Sequence, residues 1–436
     1  MRSRSVTALK ASGVALTALL LLHPPHAAAQ TAPTAAQLRQ LQKVIEEQQR
    51  QLEALKQQVD QLQRGQTDAK ASAAETEKKV EEVRAKVIDK PLIESGNSKV
   101  KLAITGQVNR AINIANDGDD TKAYFVDNDV SNSRMKMEGT GETEDGTKFG
   151  ATIEMAISPN NSYDVSQTNE DAGDFFDQRK VEVWGRNDRF GRLMFGKGQA
   201  AADDVAEYDL SLVAGPIMYA GVADPVGGLL FSTGNALSGV TVGDAFFDFD
   251  GERQNRIRYD SPSFGPMQVS LSAGADQRWD AALNFGFDYG DWSGFEIGPF
   301  TNLAGVAISD PSQNGVDYRL AGSWSLLHGG SGLSLTVSAG MDEGDGDNPY
   351  NLYGKIGWDT NFFDFGDTGF GIDFTNSENV SASGDKASSF GLAAIQVIKE
   401  FGIELYAQAR LYKLDRDTGP SVDDILVGTF GTRVKF

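Results

Sequence analysis

The chain has 436 residues, 40 Lys+Arg against 61 Asp+Glu for a net charge of −21, 48 glycines and no cysteine. Residues 101–436 alone hold 25 basic and 50 acidic side chains, a balance that excludes nucleic acid as an expected partner. The lack of cysteine excludes a disulfide framework, and beyond the first 29 residues no apolar run approaches the roughly 18 residues of a transmembrane helix.

Residues 1–29 read as a signal peptide: Arg2, Arg4 and Lys10, then an apolar run from Ala11 to Leu22, then the small-residue cleavage site Ala27-Ala28-Ala29. A mature chain is expected to begin at Gln30. Residues 30–90 are rich in Gln, Glu, Lys and Ala, and their apolar residues recur every 3.5 positions. Leu38, Ile45, Leu52, Val59, Val80 and Val87 fall at heptad position a, and Leu41, Leu55, Leu62 and Val83 at d. The register predicts a left-handed α-helical coiled coil, on the order of 75 Å long at 1.5 Å per residue. Gln48, Gln66 and Thr76 interrupt its core, and the layers do not choose between two strands and three. Pro91 stops it, and residues 91–98 are a linker.

From residue 99 the period falls to 2. In the first strand Val100, Leu102, Ile104 and Val108 oppose Lys101, Thr105, Gln107 and Asn109. The same alternation separates Ile257 and Tyr259 from Arg256 and Arg258, and Leu320 and Trp324 from Arg319 and Ser323. It also sets Leu335 and Val337 against Thr336 and Ser338, and Leu405 and Leu411 against Gln408 and Arg410. Tight connections are expected at 144–146, 186–190, 261–266, 290–292, 328–332, 358–369 and 399–401. Longer acidic ones fall at 115–131, 158–177, 199–253, 276–278, 309–315, 342–350, 375–386 and 415–423. Short turns on one side and long loops on the other, around about 16 antiparallel strands with one apolar face each, define an all-β transmembrane barrel over 99–436. Tyr289, Trp292, Trp324, Trp358, Phe362 and Phe401 gather near strand ends, where interfacial girdles belong.

The last stretch, DDILVGTFGTRVKF at 423–436, puts Leu426, Phe430, Val434 and Phe436 on one face and Thr429, Gly431, Arg433 and Lys435 on the other. Thr429, Gly431, Val434 and Phe436 match the C-terminal signal read by the outer-membrane barrel assembly machinery. A half-buried terminal strand of a soluble sheet is the alternative reading of this stretch alone.

Three further motifs carry a family resemblance. GQVNRAI at 106–112 resembles the first strand of Gram-negative porins. VWGRNDRFGRLMFGKGQ at 183–199 resembles their fourth strand, turn and fifth strand. RIRYDSPSFGPMQVSLSAG at 256–274 resembles the sixth and seventh strands. The resemblance implies a homotrimer of sixteen-stranded barrels in the outer membrane of a Gram-negative bacterium, in contact with lipid and lipopolysaccharide. It implies a third loop, here Gln199 to about Arg253, that folds inward and narrows a passage for small hydrophilic solutes. The N-terminal segment is similar to the periplasmic helices of the DcaP-type subgroup.

On that reading Asp203, Asp204, Glu207 and Asp209 are the acids of the narrowing loop. The water-facing strand positions supply Arg134, Lys136, Arg256, Arg319 and Arg410 as opposing cations. Such opposed charges make a transverse field that orients dipolar solutes and penalises uncharged, apolar ones. No enzyme is expected: beyond residue 29 there is a single histidine, His328, and no catalytic motif. No cofactor or metal site is assigned, since the acidic runs at 116–120 and 342–348 lack EF-hand spacing and read as solvated loops. A channel is the expected function. The alternative is a structural anchor whose coiled coil links the barrel to the periplasm or peptidoglycan.

Overall fold

The computed structural model describes residues 96–173, 176–234, 236–289, 299–311 and 315–436, with Arg50 and Glu53. The expected leader, the heptad segment apart from Arg50 and Glu53, and most of the linker lie outside the described residues, as does Trp292 of the expected aromatic girdle. The chain divides into one unit up to Leu92 and another from Ile93 to Phe436, and the second is the unit treated below.

Its described strands are β1 (Val100–Asn116), β2 (Thr121–Asp127), β3 (Arg134–Glu142), β4 (Lys148–Ile157), β5 (Phe176–Asn187) and β6 (Gly191–Gln199). After them come a small hairpin of β7 (Leu230–Ser232) and β8 (Leu237–Thr241), then β9 (Arg253–Asp260), β10 (Met267–Gly274), β11 (Trp279–Tyr289), β12 (Phe300–Asp310) and β13 (Val316–His328). The set ends with β14 (Leu333–Gly344), β15 (Tyr350–Phe363), β16 (Gly366–Glu378), β17 (Lys386–Ile398), β18 (Ile403–Asp415) and β19 (Ile425–Lys435). Each main-sheet strand pairs antiparallel with its neighbours, and β6 pairs directly with β9 across the long loop. β1 closes the ring against β19, with Gln107 opposite Lys435 and Asn116 opposite Leu426. β2 and β3 pair with successive parts of β1 and form one interrupted barrel strand. The seventeen-stranded sheet is thus a closed sixteen-stranded barrel.

Closure removes the sheet edge that hydrocarbon could not tolerate, and the side-chain period then decides what faces lipid. On β19 Leu426 and Phe430 point outward and stay exposed, as does Phe436 just past its end, while Ile425, Val427, Thr429 and Arg433 are buried inward. On β18 Leu405 is exposed, and Tyr406, Gln408, Arg410 and Tyr412 are buried in the lumen. The inward and outward sets are those that the alternation predicts.

Two connections among the described residues differ from the sequence expectation, and the tight turn expected at 290–292 lies outside those residues. The segment 115–131 is mostly strand: β1 turns through Asp117–Asp120 and returns as β2. Phe125 faces out while Tyr124 and Val126 face in, so apolar residues on both faces hide the alternation. The turn expected at 358–369 shrinks to Asp364 and Phe365, because β15 and β16 run on as a long hairpin. Its outer face carries Trp358, Phe362 and Phe370, with ring centroids 5.8–6.1 Å apart.

The core lies inside the barrel and is built by the loop between β6 and β9. Val213, Ile217, Met218, Val222, Leu229, Phe231, Val242 and Phe246 pack against Tyr353, Ile395, Tyr406, Tyr412, Ile425 and Val427 of the wall. Irregular backbone buried this way needs partners for its carbonyls, and the polar inner wall supplies them. Asn128 donates to Pro216 O (3.0 Å), Gln408 to Ile217 O (3.0 Å), Lys355 to Met218 O (2.8 Å), Tyr412 to Val222 O (2.8 Å) and Asn113 to Pro225 O (2.7 Å).

Candidate functional site: an acidic passage beside the inward loop

The loop packs against the wall from β11 through β19 to β1 and leaves space beside β3 to β5. A cavity of about 630 Å³ opens there, toward the long-loop end, between the loop and the wall of β3 to β5. A second, of about 460 Å³, lies toward the short turns beside Glu404, Arg433 and Lys435. Val130, Glu207 and Tyr219 line both cavities, so they stand at the neck between them.

Each neck residue has a local cause. Val130 sits in the 3-10 turn Asp129–Ser131 that separates β2 from β3. That buckle is held by Asp127, whose carboxylate accepts from Ser133 N (2.8 Å) and Ser133 Oγ (2.5 Å), and by Asn128 Oδ1, which accepts from Val130 N (3.2 Å). Glu207 follows a stretch fixed to the wall by Ser323, whose Oγ donates to Val205 O (2.6 Å), and Ser338, which donates to Ala206 O (2.7 Å). Tyr219 hydrogen-bonds to Asp224 within the loop.

The upper cavity is strongly acidic. Ten carboxylates line it: Asp129, Asp164 and Asp177, and seven from the loop itself, Asp203, Asp204, Glu207, Asp224, Asp248, Asp250 and Glu252. The guanidiniums are three, Arg134, Arg179 and Arg253. Arg134 and Arg179 are held on the wall by Glu154, at 3.7 and 2.8 Å. Burial pushes the Glu207 and Asp250 carboxyls well above the usual range, and neighbouring carboxylates add to the effect. Asp203 is raised to about 7 by burial, with Arg253 opposing the shift and Asp204 adding to it.

The loop acids meet because its two ends run side by side. Pairing of β6 with β9 sets Gln199 opposite Arg253, and Ala200 N donates to Glu252 O (3.3 Å). Asp250 then accepts from Asp204 N (2.7 Å) and Ala206 N (2.9 Å). Gly251 permits the approach, for a Cβ there would lie 2.3 Å from Asp203 N.

Of the residues expected from the sequence, Asp203, Asp204, Glu207 and Arg134 line the upper cavity, and Asp209 lines the lower one beside its buried ion-pair partner Lys355. The others do not line either cavity. Lys136 pairs with Glu138 at 2.9 Å. Arg256 is buried against Glu182 (2.6 Å) and donates to Gln199 O (2.8 Å), bracing the foot of the loop. Arg319 makes a two-armed pair with Asp342 (2.7 and 3.0 Å) and lies over the Phe247 ring at 4.7 Å. Arg410 pairs with Asp373 at 2.5 Å beneath the packed loop. Sequence reasoning missed Val130, Tyr219, Asp248, Asp250, Arg179 and Arg253. The run FFDFDGER at 246–253 carried a signal, since its strand pairing returns it to the foot of the loop.

A closed barrel with an apolar outer face, a polar inner wall and an inward loop beside an acidic passage defines a channel-forming outer-membrane protein. Residues 69–417 match the family model described as Gram-negative porin, and the chain belongs to that family. It forms a channel for passive diffusion of small hydrophilic solutes or ions. No protein of curated function matches the sequence. Among solved structures it is similar to the anion-selective porin of Comamonas acidovorans, at 15% identity and TM-score 0.54 over 77% of this chain and all of that one. It is similar also to the outer-membrane channel DcaP of Acinetobacter baumannii, at 12% identity and TM-score 0.50 over 79% of this chain and 99% of that one. A third, in-vitro folded OmpT of Vibrio cholerae, has 12% identity and TM-score 0.50, covering 78% and 98%.

Proposed function

We propose that the channel prefers small cations and that its selectivity is set at the neck formed by Glu207, Tyr219 and Val130. The observation that carries this reading is the upper lining, ten carboxylates against three guanidiniums. Carboxylates at the wall of a narrow aqueous passage raise the local concentration of cations and lower that of anions. The anion selectivity named for the Comamonas protein belongs to that protein. A reversal potential measured across a KCl gradient should show K⁺ passing more readily than Cl⁻, and a Cl⁻ preference would overturn the reading.

The raised carboxyls give the preference a pH dependence. An acid whose folded pKa is raised carries its charge only above that raised value. Cation preference should therefore climb as pH rises through about 7, whereas ordinary solvated carboxylates would give a change near about pH 4. Reversal potentials across a pH series measure this directly.

The protein is further proposed to act as a homotrimer, delivered by the barrel assembly machinery and surrounded by lipid and lipopolysaccharide, with residues 30–90 as a periplasmic coiled coil. The 3.5-residue repeat supports the coil, because heptads need partner helices. Deletion of Gln30 to Lys90 should leave a conducting barrel, since the first strand begins only at Val100. Planar-bilayer recording of the truncated protein tests this, and loss of all channel activity in the folded protein would contradict it.

A further inference from the structure

We propose that Asp203, Asp204 and Asp250 form a site for a hard divalent cation, Ca²⁺ in preference to Mg²⁺, that clasps the two ends of the inward loop. Each residue offers one carboxylate oxygen, and the three oxygens lie within 4.8 Å of one another. Oxygens bound to one Ca²⁺ at about 2.4 Å can be no more than about 4.8 Å apart. A single ion can thus touch all three with little movement of the chain.

The second observation is what these acids lack. Among the described residues no Lys or Arg nitrogen stands within 4 Å of any of the three carboxylates. Asp203 is 6% exposed, and its Oδ2 has no hydrogen-bond partner. Leaving a buried carboxylate oxygen unpaired is costly, and an oxygen so placed beside two other carboxylates is disposed as a cation ligand. Asp204 is tied by Gln199, and Asp250 by the amides of Asp204 and Ala206, so two ligands are already oriented. The adjoining cavity leaves room for water to complete the coordination. Irregular all-oxygen coordination with several carboxylates suits Ca²⁺, while Mg²⁺ demands near-octahedral geometry and keeps its water.

Bound there, the ion would hold residues 203–204 of the outgoing limb to residue 250 of the returning limb. It would also cancel two negative charges a few residues from Glu207. The site does not depend on which ions the channel passes, and its test is a binding measurement.

The full-length protein, folded in detergent and freed of divalent ions with a chelator, is titrated calorimetrically with CaCl₂. Wild type is expected to show a saturable site that weakens at least about tenfold in Asp203→Asn, since ligand charge tunes Ca²⁺ affinity. Asp345→Asn, which alters an exposed acid of an external loop, should leave the site intact. Heat-modifiable gel mobility confirms the folding of Asp203→Asn; if it does not fold, Asp204→Asn carries the same test. Identical isotherms for wild type and folded Asp203→Asn (or Asp204→Asn in its place) would overturn the proposal. So would a signal lost equally in Asp345→Asn, which would place the bound Ca²⁺ on the outer loops.

Discussion

Arg410→Met is expected to destabilise the folded barrel by about 3–5 kcal/mol, the usual cost of removing one partner from a buried ion pair. Arg410 and Asp373 are both essentially inaccessible, 2.5 Å apart, and Arg410 also donates to Ser389 Oγ at 3.0 Å. Without the guanidinium, Asp373 keeps only a 3.2 Å hydrogen bond from Tyr353 OH at its Oδ2, and its Oδ1 has none. The double variant Arg410→Met with Asp373→Leu should recover most of the loss, because no charge then remains buried. Denaturant unfolding in detergent measures both. The folded fraction of Arg410→Met should keep the wild-type reversal potential, since Arg410 lines neither cavity. A changed reversal potential with unchanged stability would place Arg410 at the passage instead.

Removal of Phe436 is expected to abolish most assembly. Phe436 N donates to Gly106 O (3.0 Å), and Phe436 O accepts in return from Gly106 N (2.8 Å). These bonds lie at the seam where the last strand meets the first. The ring lies across Gly106, where a Cβ would come within 2.7 Å of it, and its outer face stays exposed toward lipid. Deletion removes two ladder bonds and an aromatic anchor at the closing seam. Heat-modifiable protein in outer-membrane fractions should fall severalfold, and normal levels would show that the terminal residue is dispensable.

The barrel was legible because the period of 2 is unforgiving: shifting β18 by one residue would turn Leu405 inward and Arg410 toward lipid. The site was only partly legible. Alternation assigned Arg256, Arg319 and Arg410 to the inner face correctly, but it cannot say what lies against that face. The apolar run from Val213 to Phe231 covers part of the wall and buries Arg410 and its partner beneath it. Arg256 is instead taken up by Glu182 at the foot of the loop. The acids of the outgoing limb were found because they follow directly on β6. Asp248 and Asp250 needed a non-local step, since only the Gln199–Arg253 register returns the far limb to them. Val130 was hidden because the whole of 115–131 read as a long external loop, whereas residues 129–131 form a 3-10 turn facing the lumen.

The central claim is that the neck at Glu207 controls what passes, and the absence of cysteine from the chain makes it directly testable. Single-channel currents are recorded from Glu207→Cys in mildly alkaline buffer, before and after reaction with a cationic or an anionic methanethiosulfonate. A sulfonate-bearing reagent should restore cation preference, and a trimethylammonium-bearing one should reduce or reverse it, each with a stepwise fall in conductance. Completed modification by both reagents with conductance and reversal potential unchanged would mean that ions take another route, and the neck assignment would be contradicted.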